Sequence, residues 1–181
     1  DVSVPGFDDI EAGNWIWGID ITDAQVSSSG YATSASWASS FSGDGYAAAC
    51  GVNMCINNLL YDKIPATDVR KGWWLDENLH SPNWADLTWG SAKGDEIASL
   101  VLDDGSKVGF PAYTNIKFGM KSGIGSTLNN NDWPLMRVEE MILIQAEGLA
   151  KSGNEAKAKQ VLEDFVKTYR DPSYSVSASG R

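Results

Sequence analysis

Aromatic side chains are the residues of this sequence whose type and setting point most directly to a chemistry. Eight of the 181 residues are Trp, and several of them lie in polar stretches rich in Gly and Ser. A flat aromatic ring matches the C–H face of a sugar, and it loses little side-chain entropy when it is fixed in place. Neighbouring Asp, Asn or Gln side chains suit the hydroxyl rim of the same sugar. Carbohydrate binding is therefore the first chemistry to consider.

Two loops carry the aromatic residues that we predict to contact a ligand. The Gly/Ser-rich segment 27–45 and the residue after it supply Trp37, Phe41, Asp44 and Tyr46, and the second loop supplies Trp84. The alternative for each ring is that it fills a small core beneath a long loop. Five other tryptophans lie nearer to periodic segments and are predicted to be core residues: Trp15, Trp17, Trp73, Trp74 and Trp133.

Acidic pairs form the second group of residues that could do chemistry. A glycosidase needs two carboxylates about 5–10 Å apart, and adjacent acids such as Asp103-Asp104 are poor evidence for that geometry. His80 is the single histidine, which leaves little material for a catalytic triad or a His-ligated metal. We predict a protein that is not an enzyme and needs no metal or cofactor. A glycan-degrading enzyme remains as an alternative hypothesis.

The net charge of the chain argues against one class of partner, nucleic acids. Lys and Arg number 14 and Asp and Glu number 24, which gives a formal net charge of −10 at pH 7. An acidic surface repels phosphate backbones, so a nucleic-acid partner is not expected. No apolar run approaches the ~20 residues of a membrane-spanning helix.

Short periodic segments predict the elements of residues 1–131. The run 15–21 is rich in Trp and Ile and predicts a strand. Apolar residues at helical spacing predict a helix over 47–62. In such a helix Cys50 and Cys55 are about 8–9 Å apart, so we expect free, packed thiols. Residues 97–110 predict a β-hairpin with its turn at Asp104-Gly105.

The clearest predicted element is a helical hairpin over residues 132–171. Asp132 suits an N-cap, Pro134 suits the first turn, and Gly153 suits the break between two helices. Ala146 and Ala158 are small residues twelve positions apart, as in tetratricopeptide helix pairs. The first helix is apolar over more of its surface than one partner helix can cover.

The segment 132–148 has the sequence Asp-Trp-Pro-Leu-Met-Arg-Val-Glu-Glu-Met-Ile-Leu-Ile-Gln-Ala-Glu-Gly. It resembles the signature of the SusD/RagB family. The positions in step with that signature are Arg137, Glu140, Leu143, Ala146 and Glu147, whereas Glu139 and Gly148 replace two of its alanines. Three weaker landmarks occur upstream in the family's order: Ile16-Trp17, Asp68 with Arg70, and Tyr113 with Lys117-Phe118.

The resemblance implies a non-catalytic, surface-exposed lipoprotein of the cell outer membrane. Such proteins capture oligosaccharides, or in some members peptides, and deliver them to a SusC-like TonB-dependent transporter. The resemblance covers most of residues 14–171 but only a middle-to-late part of the family. It therefore implies that the sequence is a fragment that lacks the lipid anchor.

Charged residues of the signature and landmarks are predicted to be structural rather than catalytic. Arg137 and Glu140 are three residues apart on the predicted helix, and Glu147 lies two turns further on, so we expect ion pairs between neighbouring helices. Asp68 and Arg70 are expected to cap or brace a loop.

Together these patterns predict a mainly α, SusD-like fold. Residues 1–131 would form a loop-rich ligand region with the β-hairpin, and residues 132–171 the tetratricopeptide-like hairpin. The predicted function is glycan binding for delivery to the transporter. The alternatives are a protein-interaction scaffold that docks on the transporter and a peptide-binding RagB-like uptake protein. Solvent-facing, coplanar rings at Trp37, Tyr46 or Trp84 would favour glycan binding, and buried rings would favour packing.

Overall fold

The computed structural model describes residues 9–27, 37, 39–41, 45–81, 99–123 and 125–176. Within these ranges the elements are β1 (Trp15–Ile19), α1 (Asp23–Ser27), α2 (Tyr46–Ala49), α3 (Asn58–Lys63), β2 (Ser99–Val101), β3 (Lys107–Gly109), β4 (Trp133–Arg137), α4 (Val138–Lys151) and α5 (Glu155–Tyr169). Two 3-10 turns lie at Ser39–Phe41 and Val69–Trp73. Among the described residues, no helix is both long and apolar enough to cross a membrane.

The prediction of a mainly α, SusD-like fold with tetratricopeptide-like packing is wrong. The described chain is a small mixed α/β structure, in which α4 and α5 are long helices and the other three are short. Strands form two separate two-stranded antiparallel sheets, β1 with β4 and β2 with β3. A single helix pair attached to strands and irregular segments is not a helical repeat, because a repeat fold buries its faces by stacking several such pairs.

The start of the predicted hairpin is a strand rather than a helix. Trp133 to Arg137 pair with β1, and α4 begins only at Val138. Pro134 is compatible with a strand in a two-stranded sheet, because each strand has a free edge where no N–H is required. Asp132 is therefore not an N-cap. It is fully buried and accepts hydrogen bonds from the backbone N–H groups of Ile10 and Ile21, each at 2.7 Å.

The predicted helix over 47–62 is also wrong, since it is divided into α2 and α3. Gly51 has φ of +69°, a left-handed conformation that ends α2 and that glycine adopts without strain. The chain then runs extended, and the backbone of Cys55 forms an isolated antiparallel β-bridge with that of Thr114. Both thiols are free, as expected, but Cys50 and Cys55 are exposed rather than packed.

Helices α4 and α5 pack against each other within the range 132–171. Ala146 and Ala158, the two small residues that the sequence places at the crossing, are the buried residues of these helices. Leu143 and Ile144 remain exposed, with 46% and 58% of their surface accessible. A groove of about 460 Å³ runs between the helices, lined in part by Leu143, Ala146 and Leu162.

The principal core cluster lies beside the second sheet. β2 and β3 pair across a turn at Asp104-Gly105, within the range where the sequence predicts a hairpin. The residues that follow each strand, Leu102 and Phe110, pack with Ala48, Leu75 and Ile116. This cluster anchors the segment 114–118, which carries side chains of the candidate site.

The tryptophans predicted as core are not fully buried. Trp17 is 62% exposed on β1, so its assignment to the core is wrong. Trp15, Trp73, Trp74 and Trp133 are half-buried. The apolar side chains that are completely buried are aliphatic ones, such as Leu75 and Ile116.

Candidate functional site

Three aromatic rings form a cluster around Trp37. The Trp37 ring centroid lies 6.0 Å from that of Phe41 and 6.2 Å from that of Phe118, and the two phenylalanine rings are 5.9 Å apart. Trp37 is 39% exposed, whereas Phe118 is buried and Phe41 is half-buried. Edge-to-face pairs of this kind are favourable beyond the area that they bury. The cluster therefore holds an indole at the surface by contacts with two inner rings.

Polar contacts fix the 3-10 turn that carries Phe41. Ser39 is fully buried, and its Oγ accepts a hydrogen bond of 3.1 Å from the backbone N–H of Asn131. The side-chain nitrogen of Asn115 donates to the Phe41 carbonyl oxygen at 3.5 Å. The turn is thus tied to two segments more than 70 residues away, which makes the position of the rings a property of the tertiary fold.

The structure brings together only some of the predicted ligand residues. Trp37 and Phe41 are in contact, but the planes of their rings are 76° apart, so they do not form a coplanar platform. Tyr46 begins α2, which packs against the 3-10 turn, and it is half-buried. Burial, with a smaller contribution from Cys50, raises the pKa of its hydroxyl. Asp44 and Trp84 lie outside the described residues.

A run of buried asparagines lies under this region. Asn129, Asn130 and Asn131 are each no more than 1% exposed. Asn131 is satisfied, since its amide donates to the Gly119 carbonyl at 2.7 Å and accepts from the Lys121 N–H at 2.8 Å. In the described part of the chain, both polar atoms of the Asn129 side chain lack a hydrogen-bond partner. Buried polar groups of this kind usually bind an ordered water.

A second group of side chains, here called the Trp73 cluster, consists of Trp73, Lys117, Arg137, Glu139 and Arg170. The Lys117 Nζ lies 4.5 Å from the centroid of the indole, and the Arg170 Cζ lies 5.7 Å from it. Glu139 Oε1 accepts hydrogen bonds from Arg137 at 2.7 Å and from Arg170 at 3.5 Å. Two cations thus lie against a single aromatic ring, and the Glu139 carboxylate links one of them to a third cation, Arg137.

Separate parts of the chain position the Trp73 cluster. Trp73 ends the second 3-10 turn, Arg137 ends β4, Glu139 lies in the first turn of α4, and Arg170 follows α5. The backbone N–H of Val69 donates to the Arg170 carbonyl at 2.8 Å and joins two of these parts. Because the members are far apart in sequence, no local spacing could reveal the cluster.

Burial and like charges perturb the lysine of the Trp73 cluster. The pKa of Lys117 is lowered from 10.5 to about 8, chiefly by burial and further by the charges of Arg137 and Arg170, while Glu139 opposes the change. Positive groups close to an ammonium disfavour its charged form. The local potential around Lys117 is therefore positive, in a chain whose net charge is −10.

Glu139 is the anion of the cluster. Burial opposes its charged form, but hydrogen bonds from its own backbone N–H and from Asn14, together with the charges of Arg137 and Arg170, lower the pKa of its carboxyl. Its Oε1 also accepts a hydrogen bond of 2.8 Å from Asn14. Its Oε2 is buried and accepts no hydrogen bond within the described ranges. This oxygen is enclosed by the protein and is not accessible to a ligand.

The charged residues predicted to be structural are found in local contacts. Arg137 pairs with Glu139 rather than with Glu140, and Glu147 pairs with the exposed Lys151 one turn away. These contacts differ from the predicted ion pairs between neighbouring helices, because Arg137 ends a strand and Glu147 pairs within α4.

Asp68 and Arg70 form a compact loop contact. Asp68 is buried and accepts a hydrogen bond of 2.9 Å from the backbone N–H of Arg70, which caps the second 3-10 turn. The Arg70 guanidinium folds back onto the same carboxylate, with the shorter contact at 2.6 Å. The pair stabilises the turn that presents Trp73.

Sequence reasoning missed Phe118, which completes the first cluster, and the contacts that bring the members of the Trp73 cluster together. Lys117-Phe118 is visible in the sequence as a landmark of the family resemblance, but nothing in its spacing indicates contact with Trp37. Among the described residues no group of three or more His, Cys, Asp or Glu side chains is placed to hold a metal ion.

Comparisons with known proteins found no matching family model, no matching curated protein and no matching solved structure. The resemblance of residues 132–148 to the SusD/RagB signature therefore remains a prediction from the sequence. The two side-chain clusters are therefore the observations from which a function can be inferred.

Proposed function

We propose that this protein is a non-catalytic carbohydrate-binding protein that holds a glycan against the exposed face of Trp37. The family resemblance adds the proposal that it acts at the outer-membrane surface and passes the glycan to a TonB-dependent transporter. The observation that carries the binding proposal is the Trp37 ring, which is 39% exposed although two aromatic neighbours hold it in place.

The orientation of Trp37 suits a sugar better than it suits a core position. A ring that served packing alone would gain most free energy by complete burial, at about 25 cal/mol for each Å² of apolar surface. Instead Phe41 and Phe118 meet Trp37 at interplanar angles of 76° and 74°. Perpendicular contacts limit ring motion, so little further entropy is lost when a sugar stacks on the indole.

Affinity electrophoresis through gels that contain different polysaccharides tests this proposal. We expect one or more polysaccharides to retard the protein, and Trp37→Ala to abolish the retardation. Trp17→Ala is the matched control, because Trp17 is an even more exposed tryptophan on a different element. Equal loss of binding in both variants, or retention in both, would remove Trp37 from the site.

A protein-interaction module is the second candidate, and the exposed apolar residues of α4 favour it. Leu143 and Ile144 are large apolar side chains at the surface, and Leu143 lines the groove between α4 and α5. Exposed apolar surface of this kind is typical of sites that another protein covers. Lack of retardation by every polysaccharide in the panel would favour this candidate over glycan binding.

A further inference from the structure

The Trp73 cluster and the ring cluster around Trp37 share one neighbour, the buried ring of Phe118. The Phe118 ring separates them: its centroid lies 6.2 Å from the Trp37 centroid and 5.0 Å from the Lys117 Nζ. The indole of Trp37 and the ammonium of Lys117 are therefore at most about 11 Å apart. A short oligosaccharide that stacks on Trp37 can extend over this distance.

We propose that the Trp73 cluster binds an anionic group of the glycan, a carboxylate or a sulfate, next to the sugar that stacks on Trp37. This inference rests on the proposed function and specifies it further: the ligand is an acidic polysaccharide. The cluster acts as the subsite that distinguishes acidic from neutral glycans.

Arg170 is the cation best placed to contact the ligand. Its side chain is about as exposed as that of Arg137, 19% against 17%, but its contact with Glu139 is longer, 3.5 Å compared with 2.7 Å. A guanidinium presents paired N–H donors in a plane, which matches the two oxygens of a carboxylate or sulfate. The Trp73 and Phe165 rings lie 5.7 Å and 5.6 Å from its Cζ and support the guanidinium from the protein side.

The remaining groups of the cluster fit a sugar acid. The charges of Lys117 and Arg137 strengthen the positive potential at the half-buried site, where charge interactions are stronger than in bulk water. Such a local potential is needed, because the net charge of −10 repels anions at long range.

The binding experiment compares a polysaccharide with its uncharged derivative. Gels contain polygalacturonate, its methyl-esterified form, dextran sulfate, or neutral dextran, at about 0.15 M salt so that long-range repulsion is screened. We expect the free acid or the sulfated polymer to retard the protein more strongly than the esterified and neutral polymers. The comparison of the uronate with the sulfated polymer distinguishes a carboxylate from a sulfate.

Arg170→Gln tests the residue, and Lys157→Gln, at an exposed position of α5, is the control with the same change in charge. A charge-assisted hydrogen bond contributes about 1.5–3 kcal/mol, so we expect Arg170→Gln to weaken binding of the acidic polymer about tenfold to a hundredfold. Lys157→Gln should leave binding unchanged. Circular dichroism of both variants establishes that they are folded.

A measurement on the unmodified protein keeps the proposal testable if Arg170→Gln fails to fold. Lys117 faces Arg137, Glu139 and Arg170, and it loses its charge as the pH rises past about 8. Binding of the acidic polymer should weaken roughly threefold or more between pH 7 and pH 9.5, whereas binding of neutral polymers should not change.

The outcomes separate this proposal from the proposed function. Retardation by neutral polymers alone, or acidic binding that neither Arg170→Gln nor high pH weakens, overturns the anionic subsite and leaves glycan binding in place. Retardation by none of the polymers overturns both.

Discussion

Replacing Lys117 with methionine should stabilise this protein at neutral pH. The lysine is surrounded by Trp73, Phe118 and two arginines, and its pKa is lowered from 10.5 to about 8. That difference corresponds to an unfavourable free energy of about 3 kcal/mol for the charged form. Methionine has a similar length and makes favourable contacts with aromatic rings.

Part of this gain is offset by lost attraction between the ammonium and the indole. Cation–π contacts contribute about 0.5–2 kcal/mol, so the expected net stabilisation of Lys117→Met at pH 7 is about 1–3 kcal/mol. Such an increase is large relative to the 5–15 kcal/mol by which native proteins are typically stable. It would identify Lys117 as a residue that the fold does not need for stability.

The sign of the pH dependence provides an independent check. Below pH 8 Lys117 is protonated in both the folded and the unfolded chain, so its unfavourable contribution is constant. Between pH 8 and 10.5 the unfolded chain binds more protons than the folded one, so the free energy of unfolding contributed by this group rises with pH. The advantage of Lys117→Met should therefore be largest below pH 8 and should decrease towards pH 10.5.

Urea unfolding at pH 7, 8, 9 and 10 measures both effects. Comparison of the variant with the parent protein at each pH cancels the titration of the tyrosines and cysteines. Lys157→Met, at an exposed site, is the control and should show no pH-dependent difference. If Lys117→Met is no more stable than the parent at pH 7, or if the difference between them does not change with pH, the reasoning about buried charge is refuted.

Three further substitutions test the fold and the site. Trp37→Ala should abolish glycan binding and lower the free energy of unfolding by about 1–3 kcal/mol, since it loses two edge-to-face contacts and the burial of a ring that is already 39% exposed. Asp132→Ala should cost about 3–5 kcal/mol in urea unfolding, because the buried carboxylate pairs with Lys121 at 2.8 Å and accepts two backbone N–H groups. Gly45→Ala should cost more than about 1 kcal/mol in thermal unfolding, because its Cβ would collide with the Ser126 carbonyl oxygen.

Each of these predictions has a control and a contradicting result. For Trp37 the control is Trp17→Ala, and a stability loss above about 4 kcal/mol would assign Trp37 to the core. Asp20 also contacts Lys121 but is exposed, so Asp20→Ala should cost far less than Asp132→Ala. Equal losses of stability in Asp20→Ala and Asp132→Ala would contradict the conclusion that burial strengthens the contacts of Asp132. Gly13→Ala, where a Cβ has open space, controls for Gly45 and should be nearly neutral.

Elements that depend on local pattern could be predicted from the sequence, whereas those that depend on distant partners could not. A short run rich in Trp and Ile predicts a strand at β1, and that prediction is confirmed. The chain at Trp133–Arg137 has good helix-start residues, but pairing with β1 more than 110 residues earlier makes it a strand. The same competition divides 47–62, where Gly51 adopts positive φ and Cys55 pairs with Thr114.

The candidate site was predictable only in part, for the same reason. The Gly/Ser-rich setting of Trp37 and Phe41 marks them as unusual, because a flexible segment needs no aromatic residues. Nothing in the sequence shows that Phe118 completes their cluster. Arg137 and Arg170 are 33 positions apart, and they meet at Glu139 only because the end of α5 returns to the start of α4.

Lys117 provides the strongest test of whether the Trp73 cluster is structural or functional. Arg137 and Glu139 make a 2.7 Å ion pair that can brace the start of α4, and the net contribution of an additional charged lysine there to stability is unfavourable. A group that lowers stability at neutral pH is expected where it serves binding or catalysis. If Lys117→Met is more stable and binds acidic glycans less well, the charge serves ligand binding. If it is more stable and binds them as well as the parent does, Arg170 alone provides the charge of the subsite.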